Sequence, residues 1–161
     1  MKKQLFIITA ILLFFANSSF AQSKSVEALY QKYKSNENFF HLDVGGSFMN
    51  FAKGFNIQLE DGHKEAIANS MERLKMFKLP VNSQIAKSEF KALQKGLEKE
   101  RFDLTMELHE KRNGISIYTK GQSKISDIVV LVQDDEGEMM VFELQGNFDS
   151  KMLSEVTKSS K

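Results

Sequence analysis

The chain has 161 residues, no cysteine and a formal net charge of +1, with 22 Lys and Arg against 21 Asp and Glu. This balance disfavours a general polyanion binder, such as a nonspecific nucleic-acid-binding protein. The lack of cysteine excludes disulfides, thiolate metal ligands and a thiol nucleophile, so stability must come from packing.

The N-terminal residues 1–21 have the three-part layout of a secretory signal peptide. Two lysines precede an apolar run from Leu5 to Phe15, and the small-x-small triplet Ser19-Phe20-Ala21 follows. We therefore predict cleavage after Ala21 and export to the periplasm or the medium. A membrane anchor is the alternative, but the apolar run is shorter than the roughly 20 residues that span a bilayer. No transmembrane segment is expected after cleavage.

Removal of this signal peptide leaves residues 22–161, a length suited to one ordinary domain with a single core. The loss of Lys2 and Lys3 changes the formal net charge from +1 to −1. The remaining sequence has no internal repeat or linker, so we predict a single domain.

A helix and a strand are predicted first in the mature chain. Ser25 is placed to cap a helix that ends near Asn36, because the apolar residues after it have the i, i+3, i+4, i+7 spacing of one helix face. These residues are Val26, Leu29, Tyr30 and Tyr33. From Phe39 to Val44, apolar and polar residues alternate, which predicts a half-buried strand that Gly45-Gly46 ends.

The next region is predicted to contain two helices and a short strand. Ser47 is expected to cap a short helix, and a loop follows up to Gly62. The segment from His63 to Leu74 has one apolar stripe with charged residues opposite, which is typical of an amphipathic surface helix. A strand from Phe77 to Val81 follows. Pro80 cannot donate a hydrogen bond to a sheet, so this strand should end there or lie at an edge.

The second half of the chain is dominated by consecutive strands. A long helix from Asn82 or Ser83 to about Glu100 comes first, because its apolar residues fall at i, i+4, i+7 and i+11. Period-two alternation then predicts strands at Phe102 to His109, Ile115 to Lys120, Ile125 to Gln133 and Glu138 to Phe148. Asn113-Gly114 suits a tight hairpin, and the turn Asp134-Asp135-Glu136-Gly137 precedes the last strand. A short helix from Ser150 to Thr157 is predicted to close the chain.

This order predicts an α+β fold, in which helices pack on one face of a mostly antiparallel sheet with a C-terminal four-strand meander. The alternation places Leu104 and Phe142 on the core side of the meander. In the third strand, Val129 and Leu131 share one phase, whereas Ile128, Val130 and Val132 share the other. Since both faces of this strand are apolar, we predict that it lies at the centre of the sheet.

The face predicted to point away from the helices is a candidate interaction surface. It would gather Tyr118, Val129, Leu131, Met139 and Val141, with Glu107, Lys120, Glu143 and Gln145 around them. An apolar patch with a polar rim is typical of a protein-binding or self-association surface. The alternative is that another segment covers this face within the monomer. In that case Leu131→Glu would unfold the domain instead of changing its association.

No group of residues matches a catalytic or metal-binding motif. His41 and Asp43 would share one strand face and could form a ligand pair or an acid–base pair, but no third ligand has the required spacing. His63 is interpreted as a helix start, and His109-Glu110 as a solvated strand end. The acidic turn before Gly137 lacks the length and the distal Glu of a calcium loop. We predict no catalytic residue, no bound metal and no cofactor.

The pattern as a whole resembles a known family. The resemblance is carried by the export signal, the helix that feeds the strand Leu74 to Val81, the strand Phe102 to His109, the hairpin through Asn113-Gly114 to Ile117-Tyr118-Thr119-Lys120, the strand Ile128 to Val132, and the closing residues 142–149 (Phe-Glu-Leu-Gln-Gly-Asn-Phe-Asp). Together these features are similar to domain-of-unknown-function family 4252 over nearly the whole mature chain. The resemblance implies a small exported protein of Bacteroides-type bacteria, and it supplies no activity and no catalytic residue.

Three functions are compatible with these patterns. The favoured prediction is an exported, non-enzymatic binding or interaction module that contacts a protein partner or a second copy of itself. The others are a periplasmic enzyme that uses scattered His and carboxylate residues, and an oligomeric, envelope-associated structural subunit. A deep cleft that joins His41, Asp43 or His109 to a carboxylate of raised pKa would favour the enzyme. A broad, exposed apolar sheet face would favour the interaction module.

Overall fold

The computed structural model of the chain describes residues 22–46, 68–110 and 113–151. Within these ranges a six-stranded antiparallel sheet carries two helices on one of its faces. The elements in chain order are α1 (Lys24–Tyr33), β1 (His41–Gly45), β2 (Met71–Lys78), α2 (Ser83–Lys99), β3 (Asp103–Glu110), β4 (Asn113–Gly121), β5 (Lys124–Gln133) and β6 (Met139–Asp149). The predicted α+β fold is confirmed. None of the described helices is long and apolar enough to cross a membrane.

The strand order in the sheet is β1-β2-β6-β5-β4-β3, and every neighbouring pair is antiparallel. Strands β3 to β6 are neighbours in space as they are in sequence, which confirms the predicted meander. Strand β2 pairs with β6 and β1 pairs with β2, so β1 and β3 form the two edges. Strand β2 ends at Lys78, just before Pro80, so the proline follows the end of an internal strand and does not mark an edge.

Strand β2 begins at Met71, where the sequence predicts a helix that continues to Leu74. Residues 68–70 are helical, and the chain then becomes extended. The pairing of β2 with β6 shifts between Met71 and Arg73, and such a bulge interrupts the period of two. Met71 and Leu74 therefore keep a helix-like spacing within a strand, and the predicted helix end is wrong. The elements predicted between Ser47 and Ile67 lie outside the described residues.

Helix α1 begins slightly earlier than predicted, because its cap is Ser23 and not Ser25. The Ser23 side-chain oxygen accepts a hydrogen bond from the Val26 N–H, with an N···O distance of 3.2 Å. The helix ends at Tyr33, before the predicted end near Asn36.

Helix α2 has the predicted start, and a glycine lets it approach α1 closely. The Asn82 side chain accepts hydrogen bonds from the N–H groups of Gln84 and Ile85. Gly96 lowers helix propensity by roughly 1 kcal/mol relative to Ala. A Cβ atom at Gly96 would lie 2.2 Å from Ser25 Oγ of α1. The close packing of the two helices therefore requires a residue without a side chain here.

The main core lies between the helices and the sheet face that they cover, which we call the helix face. Val26 and Leu29 of α1 pack with Leu93 and Leu97 of α2 and with strand residues such as Phe77. A smaller cluster lies on the opposite face. It consists of Met71, Ile125, Ile128 and Phe148, with Leu74, Ile117, Val130 and Leu144 packed around it. Strand β5 contributes to both clusters, in agreement with its predicted central position.

The two residues predicted to share the meander core lie on different faces. Leu104 pairs with Tyr118 on the helix face, but it is 49% exposed because β3 is an edge strand. Phe142 pairs with Val130 on the opposite face and is half-buried. Leu104 thus lies on the predicted face, whereas the face predicted for Phe142 is wrong. The register shift between Leu104 and Met106 offsets the alternation in β3, so Met106 pairs with Ile117 on the opposite face.

Candidate functional site

The five residues of the predicted interaction surface lie on the helix face. Tyr118, Val129, Leu131, Met139 and Val141 all belong to the main core and are at most 2% exposed. The predicted exposure of this face is therefore wrong, since α1 and α2 cover it. The residues predicted to form its rim include Glu143 and Gln145, and both of these are buried as well. A partner could not reach these side chains while the helices remain in place.

His41 and Asp43 lie on the exposed edge strand β1 and share one face, as the sequence predicts. This face is the helix face, because His41 pairs with Phe77. The His41 ring stacks on Phe39, with 5.6 Å between the ring centroids. The Asp43 carboxylate accepts two hydrogen bonds from Arg73, at N···O distances of 2.9 and 2.7 Å. The Arg73 guanidinium holds the pKa of Asp43 below its ordinary value. Asp43 is thus engaged in an ion pair and is not placed to act on His41 as an acid–base partner.

His109 lies on β3, at the other edge of the sheet from His41. Its Nε2 atom is 3.1 Å from Glu107 Oε1, and both side chains are largely exposed. The two histidines therefore do not converge on one site. His63 lies outside the described residues.

The acidic residues before Gly137 form a turn. Asp134 Oδ1 accepts hydrogen bonds from the N–H groups of Glu136 and Glu138, at N···O distances of 3.1 and 2.8 Å. Asp134 therefore has a structural role in the turn, and this role accounts for an acidic residue here without a bound metal. Across the described residues, no group of three or more His, Asp and Glu side chains is arranged to hold a metal ion.

A cluster of buried polar side chains lies on the helix face, next to the start of α1. It consists of Lys75, Asp127, Glu143 and Gln145, and we call it the polar cluster. Cross-strand pairing places Lys75 beside Glu143 and Gln145 beside Asp127. Asp127 Oδ1 and Gln145 Nε2 are buried without a hydrogen-bond partner among the described residues. The sheet therefore carries ionisable groups where most sheets bury apolar side chains.

Burial raises the pKa values of the two carboxyl groups in this cluster. Glu143 is 2% exposed, and its burial raises its pKa from 4.5 to about 7, against the opposing effects of the Ser23 N–H and Lys75. Burial also raises the pKa of Asp127, although a hydrogen bond from Ser126 opposes this effect. Near neutral pH, Glu143 is therefore poised between its neutral and its charged form.

Carboxylates also surround the first residues of α1. Glu143 Oε1 accepts the Ser23 N–H at 2.9 Å, and Glu100 accepts the N–H groups of Lys24 and Ser25 at 2.9 and 2.8 Å (N···O distances). These bonds satisfy backbone donors that have no partner within the helix. Burial tends to raise the pKa of Glu100, but the bonds from Ser25 outweigh it and the pKa is lowered.

Glu27, on the first turn of α1, connects this helix to the polar cluster. Its Oε2 atom accepts a hydrogen bond from the buried Lys75 ammonium at 2.6 Å. Burial tends to raise the pKa of Glu27, but the hydrogen bonds from Lys75 and Gln31 outweigh it and the pKa is lowered. Lys75 also lies 4.7 Å from the centroid of the Tyr30 ring. The charge of Lys75 is thus balanced mainly by Glu27.

Two clefts lie among the described residues at a distance from the acids of the polar cluster. One cleft, of about 250 Å³, lies between α1 and α2, and another, of about 440 Å³, lies beside the acidic turn. Neither is lined by Glu143 or Asp127. A carboxyl group of raised pKa is therefore present, but these clefts give a substrate no access to it.

The edge strand β3 is the most exposed element of the sheet. Leu104 and Leu108 are 49% and 58% exposed, and Met106 is half-buried. The strand pairs with β4 on one side, and no described strand pairs with its other side. Among the described residues, the outer N–H and C=O groups of β3 thus have no strand partner, which is the kind of edge that a further strand can join.

The family of the chain follows from its sequence match. Residues 33–156 match the family described as Domain of unknown function (DUF4252). The chain belongs to the DUF4252 family. No curated protein and no solved structure matches it.

The DUF4252 match spans the whole sheet and helix α2. It includes the polar cluster and the edge strand β3. It begins at Tyr33, the last residue of α1, so Ser23 and Glu27 precede it. The family description names no activity.

Proposed function

We propose that this DUF4252 protein is an exported, non-enzymatic binding module that adds an extended segment of a partner protein to the β3 edge of its sheet. The observation that carries the proposal is that no described strand pairs with the outer side of β3, together with the exposure of Leu104 and Leu108. Strand addition uses main-chain hydrogen bonds for affinity and alternate side chains for specificity. The buried carboxyl groups of Glu143 and Asp127 have no catalytic role in this proposal.

The two faces of β3 define the chemistry of the partner segment. On the opposite face, Leu108 pairs with Ile115, and both are exposed. On the helix face, the exposed Glu107 pairs with Ser116. A partner strand would therefore place apolar side chains beside Leu108 and basic side chains beside Glu107. The bulge near Leu104 restricts regular pairing to the second half of β3.

Charge disfavours a second copy of β3 as the partner. Two copies of β3 paired antiparallel over its regular second half, residues 107–110, would bring Glu107 of one copy opposite Glu110 of the other. Like charges directly opposite each other destabilise a strand pair. A basic partner segment avoids this repulsion, so we favour a different protein over a homo-oligomer.

A photo-crosslinking experiment tests this proposal. The crosslinking residue p-benzoylphenylalanine replaces Leu108 in the protein expressed in its native host, and adducts are mapped by peptide mass spectrometry. Ile85, an exposed apolar residue on α2, carries the same crosslinker as the matched control. We expect one predominant adduct from position 108, to an alternating basic and apolar segment, and none of that adduct from position 85.

Reversal of one charge separates a specific edge contact from chance collisions. Glu107→Lys should reduce the adduct from position 108 by about tenfold, because it removes the attraction for basic side chains. A dominant adduct to a second copy of the same chain would contradict the proposed partner. The same adducts from positions 108 and 85 would contradict binding at the β3 edge.

Export is a separate part of the proposal, and the three-part leader supports it. We expect the protein recovered from the periplasm or the medium to begin at Gln22. Intact-mass and N-terminal peptide measurements on protein from the native host check this. A membrane-bound protein that retains Met1 would contradict it.

A further inference from the structure

The residues at the start of α1 lie against carboxylates of the polar cluster and its neighbours. Ser23 is fully buried, and its N–H donates to Glu143 Oε1 at an N···O distance of 2.9 Å. The Gln22 side-chain amide donates to Glu27 Oε2 at 2.7 Å. The backbone nitrogen of Gln22 is therefore next in the chain to a group that already binds Glu143.

Covalent geometry keeps that nitrogen close to the Glu143 carboxylate. Consecutive Cα atoms are only about 3.8 Å apart, so rotation about the Gln22 backbone can bring its nitrogen towards the same carboxylate. In the uncleaved chain this nitrogen belongs to the peptide bond with Ala21 and carries no charge. Cleavage of that bond would convert it to a primary ammonium group with three hydrogen-bond donors.

The acids of the polar cluster have incomplete bonding among the described residues. Asp127 is 1% exposed, and its Oδ1 atom accepts no hydrogen bond among the described residues. The two cations whose charges act on Glu143 are engaged with other carboxylates, since Lys75 binds Glu27 and Arg73 binds Asp43. A third cation, Lys120, acts on Asp127 through its charge. Within the described ranges, Glu143 and Asp127 are therefore buried acids without a directly bonded cation.

We propose that the α-ammonium group of Gln22, formed when residues 1–21 are removed, binds the buried Glu143 carboxylate and completes the polar cluster. This inference rests on the cleavage site of the proposed export. The positive end of the α1 dipole and the charge of Lys75 both oppose a further cation here. We expect the attraction to Glu143 to exceed these effects because Glu143 is only 2% exposed, and a charge pair interacts more strongly when it is removed from solvent.

The test compares two chains released from a removable tag. One chain begins at Gln22, and the other retains residues 16–21, which moves the terminal amine away from the cluster. The pKa of the terminal amine is measured from the pH dependence of its acetylation by acetic anhydride, read by mass spectrometry. An ordinary α-amino pKa is about 7.7–8.0. In the chain that begins at Gln22, we expect a pKa at least about one pH unit above this range.

Substitution identifies the partner of the amine. Glu143→Gln in the chain that begins at Gln22 should return the pKa of the amine to its ordinary range. Glu98→Gln, an exposed change on α2, is the matched control and should leave the raised pKa unchanged. Circular dichroism of each variant checks that the comparison is made between folded chains.

Cyclisation of Gln22 gives an independent readout. In this reaction the neutral α-amine nitrogen bonds to the side-chain carbonyl carbon, and the bond from that carbon to nitrogen breaks to release ammonia. An ammonium bound to Glu143 cannot attack, so the parent should cyclise about tenfold more slowly than its Glu143→Gln variant, in line with one pH unit of pKa. The loss of ammonia is followed by intact mass.

An ordinary amine pKa in the parent, or a raised one that survives Glu143→Gln, would overturn this inference. The tag protease creates the terminus, so the result does not depend on export in the host. If the Gln22 amine has a raised pKa but the protein from the host retains Met1, export is refuted and the ammonium site is still supported. If the Gln22 amine has an ordinary pKa but the protein from the host begins at Gln22, export is supported and the ammonium site is refuted.

Discussion

Leu131→Glu should unfold the domain at neutral pH. Leu131 is fully buried on the helix face, and it belongs to the same core cluster as Leu93 and Leu97 of α2. Its truncation to Ala should already cost about 2–5 kcal/mol of unfolding free energy through lost contacts and a cavity. A buried, unpaired carboxylate adds a further penalty of several kcal/mol. The sum approaches or exceeds the stability of a typical domain, about 5–15 kcal/mol.

Circular dichroism and urea melts measure this effect, with Leu108→Glu as the matched control. Leu108 is also a leucine in a strand of the sheet, but it is 58% exposed. The control variant should stay folded and lose less than about 1 kcal/mol. If Leu131→Glu instead gives a folded domain with altered association, the helices do not cover this face.

The element order of this protein could be predicted from its sequence, because the local signals are strong. Asn113 and Gly114 open strand β4 in the predicted hairpin region, and Asn82 caps a helix whose apolar residues share one side. These signals act over a few residues and do not depend on the rest of the fold. The meander and helix α2 were therefore accessible without a structure.

The face that the helices cover could not be predicted in the same way. Strand β5 is apolar in both phases, so alternation alone does not show which phase meets the helices. On β6 the phase of Val141 also contains Glu143 and Gln145, which looks like the solvent side. Yet the side chains of this phase are buried under α1. The Ser23 N–H at the start of α1 donates a hydrogen bond to Glu143, and Glu27 of α1 accepts one from Lys75. That pairing joins residues far apart in the chain, and no local pattern reveals it.

The polar cluster was missed for the same reason. Asp127 and Glu143 each stand among apolar residues in a central strand, which is the one sequence signal that points to buried acids. A carboxylate in a strand is usually solvated, so the signal becomes informative only when the strand is known to be covered. The histidines, which attract attention in a sequence, lie instead on the two exposed edges of the sheet where the structure describes them, at His41 and His109.

In a chain that retains residues before Gln22, Glu143→Gln should stabilise the protein at pH 8 and have little effect at pH 4. The pKa of Glu143 is raised from 4.5 to about 7 in the folded chain. Below pH 4.5 the carboxyl group is protonated in both the folded and the unfolded state, so its ionisation costs nothing. As the pH rises from 4.5 to about 7, the unfolded state is increasingly favoured because its carboxyl group ionises first. The difference in pKa corresponds to about 3 kcal/mol above pH 7.

The glutamine side chain introduced by Glu143→Gln would stay neutral at every pH, and its oxygen can still accept the Ser23 N–H. The variant should therefore be more stable than its parent by up to about 3 kcal/mol at pH 8, with the difference growing between pH 4.5 and about 7. Urea melts from pH 4 to pH 8 measure this, and Glu98→Gln on exposed α2 should show no such trend. A pH-independent difference would mean that Glu143 ionises as easily in the folded chain as in the unfolded one. In the chain that begins at Gln22, the gain at pH 8 should shrink or reverse, because there the substitution removes the partner of the ammonium group.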